Sequence, residues 1–127
     1  MPYDIDSAGD YIVMRLSGVL TAADLLAMAH EIEGIEAVQV DRDRLTDLTS
    51  VERFDIDFEA TYVMTEIRCK RTFGTTVRSA IVAVEPIAFG SARVFQALND
   101  NPQIEIRVVA SRAEAEAWFA TPRPALT

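Results

Sequence analysis

Few residues of this chain have the types and spacing that chemistry on a substrate requires. His30 is the only histidine and Cys69 the only cysteine. A general base needs a nucleophile or substrate within hydrogen-bond reach, and neither residue stands in a motif that pairs it with one. The sequence also lacks a glycine-rich phosphate loop and any Cys/His metal spacing. We therefore expect a protein with no catalytic residue and no cofactor.

Three acidic residues, Asp55, Asp57 and Glu59, follow one another closely enough to be compared with a metal site. Hard cations bind clustered carboxylates, but this spacing does not match an EF-hand loop and has no glycine at the required bend. Carboxylates also stabilise a helix N-terminus, and a helix is predicted to begin here. Helix capping is therefore the preferred interpretation, and we expect no metal.

Thr49 and Ser50 lie at the predicted carboxyl end of the third strand. Open α/β sheets tend to bind ligands at that edge. With Asp47 before them and Glu85 at the start of the third helix, they form a candidate ligand or switch loop. The alternative is that Thr49 and Ser50 are turn residues that bond to the local backbone.

A second candidate is a surface on the third helix, formed by Phe89, Arg93 and Gln96. Steps of 100° per residue place these three opposite the predicted core face of the helix. That core face comprises Ile87, Ser91, Val94, Phe95 and Leu98. An aromatic side chain one turn before an arginine, outside the core face, is typical of a partner surface. The alternative is that the last helix or the tail covers Phe89.

Apolar periodicity, caps and turn residues predict the elements that must position these residues. Thr21 with Asp24, and Ser111 with Glu114, have the spacing of capping boxes at the starts of the first and last helices. The predicted strands are 3–6, 11–16, 44–48, 77–84 and 103–109, and the predicted helices are 22–34, 57–71, one from Glu85-Pro86 to about 98, and one after Ser111. The strand, helix and strand from Ser79 onward predict a parallel pair, and hence an α/β fold. We expect one domain over 1–120 and a short tail over 121–127.

The composition limits the partners of this chain. It has 127 residues and a net charge of −8, without a basic patch of the kind that nucleic acid or an anionic membrane surface attracts. No apolar run is long enough to span a bilayer, and the first residues do not form a signal peptide. A lone cysteine cannot form an internal disulfide, so we expect a cytoplasmic protein.

The fifth predicted strand alternates between apolar and polar residues instead of being apolar throughout. Ile104, Ile106 and Val108 point to one side, and Glu105 and Arg107 point to the other. A parallel sheet that is covered on both faces has continuous apolar strands. The helices are therefore predicted to lie mainly on one face of the sheet, which leaves part of the other face wet or available to a partner.

Three segments of the chain resemble the STAS/SEC14-like (SpoIIAA-like) family of small bacterial proteins. They are the strand-helix junction "AIVAVEPIAFGSARVFQAL", the ending "IEIRVVASRAEAEAWF" and the early "VMRLSGVLTAADLLAM". The resemblance covers most of the chain apart from 36–58. It implies a wound β-α superhelix with a five-stranded, mostly parallel sheet, an antiparallel first strand and four helices.

The resemblance also implies two kinds of function. Some relatives are anti-sigma-factor antagonists, which bind a kinase partner and are switched by phosphorylation of a serine, and others are lipid-transfer domains. The antagonist motif has a Ser-Gly step after the third strand, whereas this chain has Thr49-Ser50-Val51. The leading hypothesis is a non-enzymatic module that binds a protein partner or a second copy of itself. The alternative is a carrier of a small apolar, lipid-like ligand.

Overall fold

A computed structural model describes residues 3–38, 42–69 and 76–122, which form five strands and four helices. In chain order these are β1 (Tyr3–Asp6), β2 (Ile12–Thr21), α1 (Ala22–Val38), β3 (Arg44–Asp55), α2 (Phe58–Cys69), β4 (Val77–Val82), α3 (Pro86–Leu98), β5 (Ile104–Val109) and α4 (Arg112–Phe119). Every predicted element is present in the described residues, although the predicted end of the second helix, at 70–71, lies outside them. The boundaries differ most at β2, β3 and α1, each of which is longer than predicted.

The five strands form one sheet in the order β1-β2-β3-β4-β5. β1 pairs with β2 in antiparallel fashion, and the remaining neighbours are parallel. Helices α1, α2 and α3 connect successive parallel strands, as parallel pairing requires. The predicted fold class is confirmed: an α/β sheet, mostly parallel, with an antiparallel first strand and four helices.

The helices are unequally divided between the two faces of the sheet. The larger apolar core joins the sheet to α1, α2 and α3, through side chains such as Ile32, Met64 and Ala92. The smaller core lies on the opposite face, where Ala115 and Trp118 of α4 pack against the sheet. One short helix cannot cover five strands, so part of that face stays exposed, as the alternation in β5 predicts.

β2 and β3 extend together beyond the rest of the sheet. β3 pairs with β4 only from Arg44 to Asp47, whereas its pairing with β2 continues to Asp55. The prediction that β3 ends at Leu48 is therefore wrong. The error arises because Thr49 and Ser50 have turn propensity. The pairing of β3 with β2 nevertheless keeps this segment extended.

The capping residues correctly predict where two of the helices begin. The amide of Asp24 donates to Thr21 Oγ1 at 3.3 Å, and the Thr21 amide donates to Asp24 Oδ2 at 3.1 Å, which is the predicted capping box of α1. The Glu114 amide likewise donates to Ser111 Oγ at 3.1 Å and caps α4. The predicted end of α1 at Gly34 is wrong, because the helix continues to Val38.

The extra turn of α1 carries a carboxylate into a buried ion-pair cluster. Glu36 Oε1 lies 2.6 Å from Arg68 Nη1 of α2, and Glu36 Oε2 lies 3.2 Å from Arg44 Nε of β3. The three side chains are at most 5% exposed. One carboxylate thus ties α1 to both α2 and the sheet, which explains why the helix does not end at Gly34.

A third buried arginine, Arg78 of β4, holds the end of α4 on the other face. Its guanidinium donates to the carbonyl oxygens of Trp118, Thr121 and Pro122 and lies 5.4 Å from the centre of the Trp118 ring. A cation is favourable at a helix C-terminus, where carbonyl groups lack partners within the helix. The first two residues of the predicted tail, Thr121 and Pro122, are therefore exposed but held to β4 by hydrogen bonds.

Candidate functional site

The side of α3 that faces away from the sheet is apolar and nearly uncharged. Helical geometry places Ile87 and Val94 on one flank, Gly90 and Ala97 in the middle, and Phe89 with Arg93 on the other flank. We call these six residues the outer face of α3. Ile87 is 71% exposed, Phe89 45% and Val94 38%. Arg93 is the only charged residue of the helix, in a chain of net charge −8.

The predicted core face of α3 is wrong by about one position. The fully buried residues of the helix are Ala88 and Ala92, whereas Ile87 and Val94 are exposed. Small alanine side chains let the helix lie close to the sheet, and Phe95 fills the adjoining space at the edge of the larger core. Two of the large apolar side chains that a helical wheel assigns to the core, Ile87 and Val94, therefore point away from it, whereas Phe95 packs against it.

Gln96 does not belong to the same surface as Phe89 and Arg93. Its Nε2 donates to the carbonyl oxygen of Ile106 at 2.7 Å, and Asn99 Nδ2 donates to that of Ile104 at 2.9 Å. Both carbonyls belong to β5, which is an edge strand of the sheet. Gln96 thus satisfies backbone groups of the sheet edge, and of the three predicted surface residues only Phe89 and Arg93 are on the outer face.

Thr49, Ser50 and Glu85, predicted as one loop, meet at a cleft beyond the end of β4. We call it the strand-end cleft. It encloses about 690 Å³ and is lined by Thr49, Ser50, Val51, Glu52 and Phe54 of β3 and by Glu85, Pro86, Ile87 and Ala88 at the start of α3. Thr49 and Ser50 lie within β3 and not at its end, which corrects their predicted position.

Asp47 supports the strand-end cleft without lining it. Its Oδ1 accepts hydrogen bonds from the Thr49 amide at 2.9 Å and from Thr49 Oγ1 at 2.6 Å. Asp47 also lines a second, smaller cleft of about 310 Å³ on the other side of the strands, together with Ser50 and Arg15. The four predicted loop residues are therefore close in space, but they serve two different clefts.

One of the three acidic residues compared with a metal site, Asp57, caps a helix. Asp57 Oδ1 accepts from the Ala60 amide at 2.9 Å, the bond of a helix N-cap, so the capping interpretation is correct for this residue. Within the described ranges, no three His, Cys, Asp or Glu side chains are grouped closely enough to hold a metal ion. His30 is exposed on α1, and the side chain of Cys69 lies outside the described ones.

The larger core contains a cavity of about 100 Å³. Apolar side chains from the sheet and from α1, α2 and α3 supply most of its wall, among them Met14, Leu48 and Phe95. The hydroxyl-bearing residues Ser79 and Ser91 line it as well. Pockets for drug-sized ligands enclose about 300–1,000 Å³, so this cavity has room for a molecule of only a few heavy atoms.

Two tyrosines near these surfaces have raised pKa values. Glu66 accepts a hydrogen bond from Tyr62 on α2, and this raises the pKa of the phenol because ionisation would break the bond. Burial raises the pKa of Tyr11, whose hydroxyl donates to Glu116 at 2.9 Å and accepts from Arg112 Nε at 3.0 Å. Both phenols are therefore neutral at physiological pH and act through hydrogen bonds.

No helix in the part of the chain that the structure describes has both the length and the apolar character that crossing a bilayer demands.

Comparison with known proteins finds likeness at the level of structure. No family model matches the sequence. No curated protein matches it either. An uncharacterised protein of the DUF3478 family from Shewanella loihica PV-4, which has a SpoIIAA-like fold, superimposes with a TM-score of 0.59 at 18% identity, over 93% of this chain and 92% of that one.

Two structures of the protein SpoIIAA give the same result. The unphosphorylated anti-sigma factor antagonist SpoIIAA superimposes with a TM-score of 0.60 at 11% identity, over 92% of this chain and 96% of that one. The phosphorylated Bacillus cell fate determinant SpoIIAA superimposes with a TM-score of 0.54 at 12% identity, over 92% and 98%. At identities this low, the superpositions establish the fold alone. The chain has the SpoIIAA-like α/β fold that its sequence motifs resemble.

Proposed function

We propose that the protein is a non-enzymatic cytoplasmic module that binds a protein partner, or a second copy of itself, through the outer face of α3. The observation that carries the proposal is the exposure of Ile87, Phe89 and Val94 on a helix whose only charged residue is Arg93. Contiguous exposed apolar surface on a soluble protein commonly marks a binding site. Arg93 at its border provides the polar contact that such surfaces use for specificity.

Gly90 lies in the middle of the outer face of α3, where it leaves the helix backbone without a side chain. Glycine inside a helix costs about 0.5–1 kcal/mol relative to alanine. A Cβ atom built on Gly90 would meet nothing within 4 Å outside its own helix, and Gly90 does not have a positive φ angle. A partner that lies close against α3 would need the absence of that Cβ. Gly34 inside α1 has equally open surroundings, so Gly90 supports the proposal through its position in the middle of the outer face.

The structural neighbours provide analogy. The SpoIIAA structures are those of an anti-sigma factor antagonist, a protein named for its action on another protein. Function does not follow from fold, so this analogy raises the expectation of a protein partner without identifying one. The proposal does not include the phosphorylation recorded for the neighbour, since Thr49 and Ser50 lie within a strand and Ser50 is followed by valine, not glycine.

The proposal is tested with the double variant Phe89→Asp/Arg93→Glu. We expect it to lose any dimer seen in the mass of the purified protein, and to capture the partner of the native chain at least tenfold less well. Phe58→Asp is the matched control, because Phe58 is 63% exposed but lies on α2. Circular dichroism checks that both variants fold. Equal capture and equal mass for the native chain and the double variant would refute this surface.

A second candidate function, carriage of a small apolar ligand, is favoured by the apolar cavity of about 100 Å³ in the larger core. A cavity of about 150 Å³ lined by apolar side chains holds benzene or xenon, so a lipid chain would not fit without expansion of the core. The ligand would be a molecule of this small size. Native mass spectrometry of protein purified from its own cells tests the idea, and a spectrum of ligand-free protein alone would count against it.

A further inference from the structure

The edge of β3 is open where β4 ends. β4 pairs with β3 from Ser79 to Val82, opposite Arg44 to Asp47, and the chain then turns into α3. Beyond Asp47, β3 continues for eight residues; five of them pair with β2 on one side, and none pairs with β4 on the other. The position that an extended β4 would occupy is taken up by the strand-end cleft. An unpaired strand edge of this kind presents amide and carbonyl groups to any extended chain beside it.

Two bulges shorten the usable part of this edge. From the pair Arg15/Asp47 to the pair Thr21/Asp55, β2 advances six residues and β3 advances eight. The first bulge contains Thr49, whose amide already donates to Asp47 Oδ1. Bulges interrupt regular pairing and protect strand edges from indiscriminate association. The second bulge leaves Glu52 without a partner on β2, between the pairs Gly18/Val51 and Val19/Arg53. The edge therefore suits only a short segment, roughly four to six residues long, that lies opposite 50–55 and follows the bend at Glu52.

The side chains that line the strand-end cleft define the chemistry of its occupant. Val51, Phe54 and Ile87 provide apolar contacts, and Glu52 and Glu85 are exposed carboxylates in the same lining. An extended peptide places successive side chains on opposite sides, so one set can contact the apolar residues while the other set meets the carboxylates. Complementary side chains would be apolar at alternate positions and basic between them.

We propose that the strand-end cleft binds a short extended segment of the protein partner, with alternating apolar and basic side chains, as an additional strand on β3. The inference rests on the proposed function, since the segment belongs to that partner. Backbone hydrogen bonds to β3 supply affinity and the alternate side chains supply specificity, as in other cases of strand addition. A second copy of this chain fits less well, because its own acidic β3 edge would face the same carboxylates.

The probe is a fluorescent, end-blocked hexapeptide of alternating lysine and valine, titrated into the full chain. We expect saturable binding, and at saturation the amides of 50–55 should exchange with solvent at least tenfold more slowly. Two further peptides carry N-methyl groups on either the valines or the lysines, which removes the amide donors from one edge of the peptide at a time. One of these two peptides should bind with an affinity within threefold of that of the unmethylated hexapeptide. The affinity of the other should be at least tenfold lower.

Charge is tested on the protein. Glu52→Lys with Glu85→Lys should weaken peptide binding at least tenfold. Glu59→Lys with Glu66→Lys makes the same change in net charge on exposed residues of α2, outside the cleft, and should leave affinity within about twofold. Three results would each overturn the proposal in favour of non-specific attraction to an acidic protein. They are an equal loss of peptide affinity in both double variants, amide exchange in β3 that the peptide does not slow, and full affinity of both N-methylated peptides.

The Phe89→Asp/Arg93→Glu variant separates this inference from the proposed function. Both residues are on α3, but neither lines the strand-end cleft, so the variant should still bind the hexapeptide. If the variant loses the partner and the native chain does not bind the hexapeptide, only the strand-addition proposal is wrong, and the proposed function stands. If the variant keeps the partner and the peptide results hold, the outer face of α3 is wrong and strand addition stands.

Discussion

Replacing Glu36 with glutamine should destabilise the fold strongly, because it leaves two arginines buried without their shared carboxylate. Glu36 lies 2.6 Å from Arg68 Nη1 and 3.2 Å from Arg44 Nε, and none of the three side chains is more than 5% exposed. Removal of one partner from a buried ion pair typically costs about 3–5 kcal/mol. A domain of this size has a total stability of about 5–15 kcal/mol, so the loss is a large fraction of it.

The assay is equilibrium unfolding in urea, with thermal unfolding as a second measurement. We expect the free energy of unfolding of Glu36→Gln to fall by about 3–5 kcal/mol, and the midpoint temperature to fall by about 10–20 °C. Glu31→Gln is the matched control, because Glu31 is exposed on the same helix and should cost less than about 1 kcal/mol. The urea m-value should stay constant if the denatured state is unchanged.

A triple variant separates charge from packing in this cluster. Glu36→Leu, Arg44→Met and Arg68→Met together remove every charge of the cluster and keep similar side-chain volumes. Such replacements are often neutral or stabilising by about 1–4 kcal/mol, because no ion has to be desolvated. The reasoning is refuted if Glu36→Gln costs less than about 1 kcal/mol, or if the triple variant is less stable than the single one. Either result would mean that desolvation of these ions does not govern stability here.

Three further substitutions test other contacts by the same unfolding assays. Gly90→Ala should stabilise the chain by about 0.5–1 kcal/mol, because the added Cβ meets nothing within 4 Å, and a loss of stability would show that Gly90 serves the fold. Arg78→Met should lower the free energy of unfolding by about 2–3 kcal/mol, because the carbonyl groups at the end of α4 lose their donor. It should also change the fluorescence of Trp118, which Arg78 contacts, and unchanged fluorescence would contradict this. Ser111→Ala should cost about 1 kcal/mol through loss of the cap on the Glu114 amide, whereas Ser111→Asp should retain most of it.

The sequence predicts this fold well wherever the signal is local. The capping boxes at Thr21 and Ser111 depend on residues three positions apart, and both form as predicted. The parallel pairing of β4 and β5 follows from the helix between them, because a crossover connection leaves little choice of direction. The mostly parallel pairing, the antiparallel first strand and the number of helices were therefore predictable, and the structural neighbours confirm the fold at 11–18% identity.

The errors come from contacts between residues that are distant in the chain. Gly34 has the local properties of a helix end, but Glu36 has buried partners 8 and 32 residues away, and these keep the helix intact. The end of β3 depends on β2, about 35 residues earlier, so turn propensity at Thr49 does not determine it. No periodicity reveals that arginines such as Arg44 and Arg78 are buried, because the partners that make burial tolerable are invisible in a local pattern.

The candidate site was predicted in part, and the missed part is the more informative. Phe89, Arg93, Thr49, Ser50 and Glu85 were selected from the sequence and lie on the two surfaces described above. Ile87 and Val94 were assigned to the core, because large apolar residues at helical spacing usually face it. The structure instead turns Ala88 and Ala92 inward.

That inversion on α3 is hard to explain by stability alone. In a helix with small side chains inward and large apolar side chains outward, the large side chains stay exposed to solvent. Exchanging the two sets would bury that surface and stabilise the fold by about 25 cal/mol per Å² of apolar area. The observed arrangement also exposes apolar surface that favours aggregation. Such a pattern is retained most simply when something outside the chain covers it. The outer face of α3 adjoins the strand-end cleft at Ile87, so one partner can cover the helix and place an extended segment beside β3.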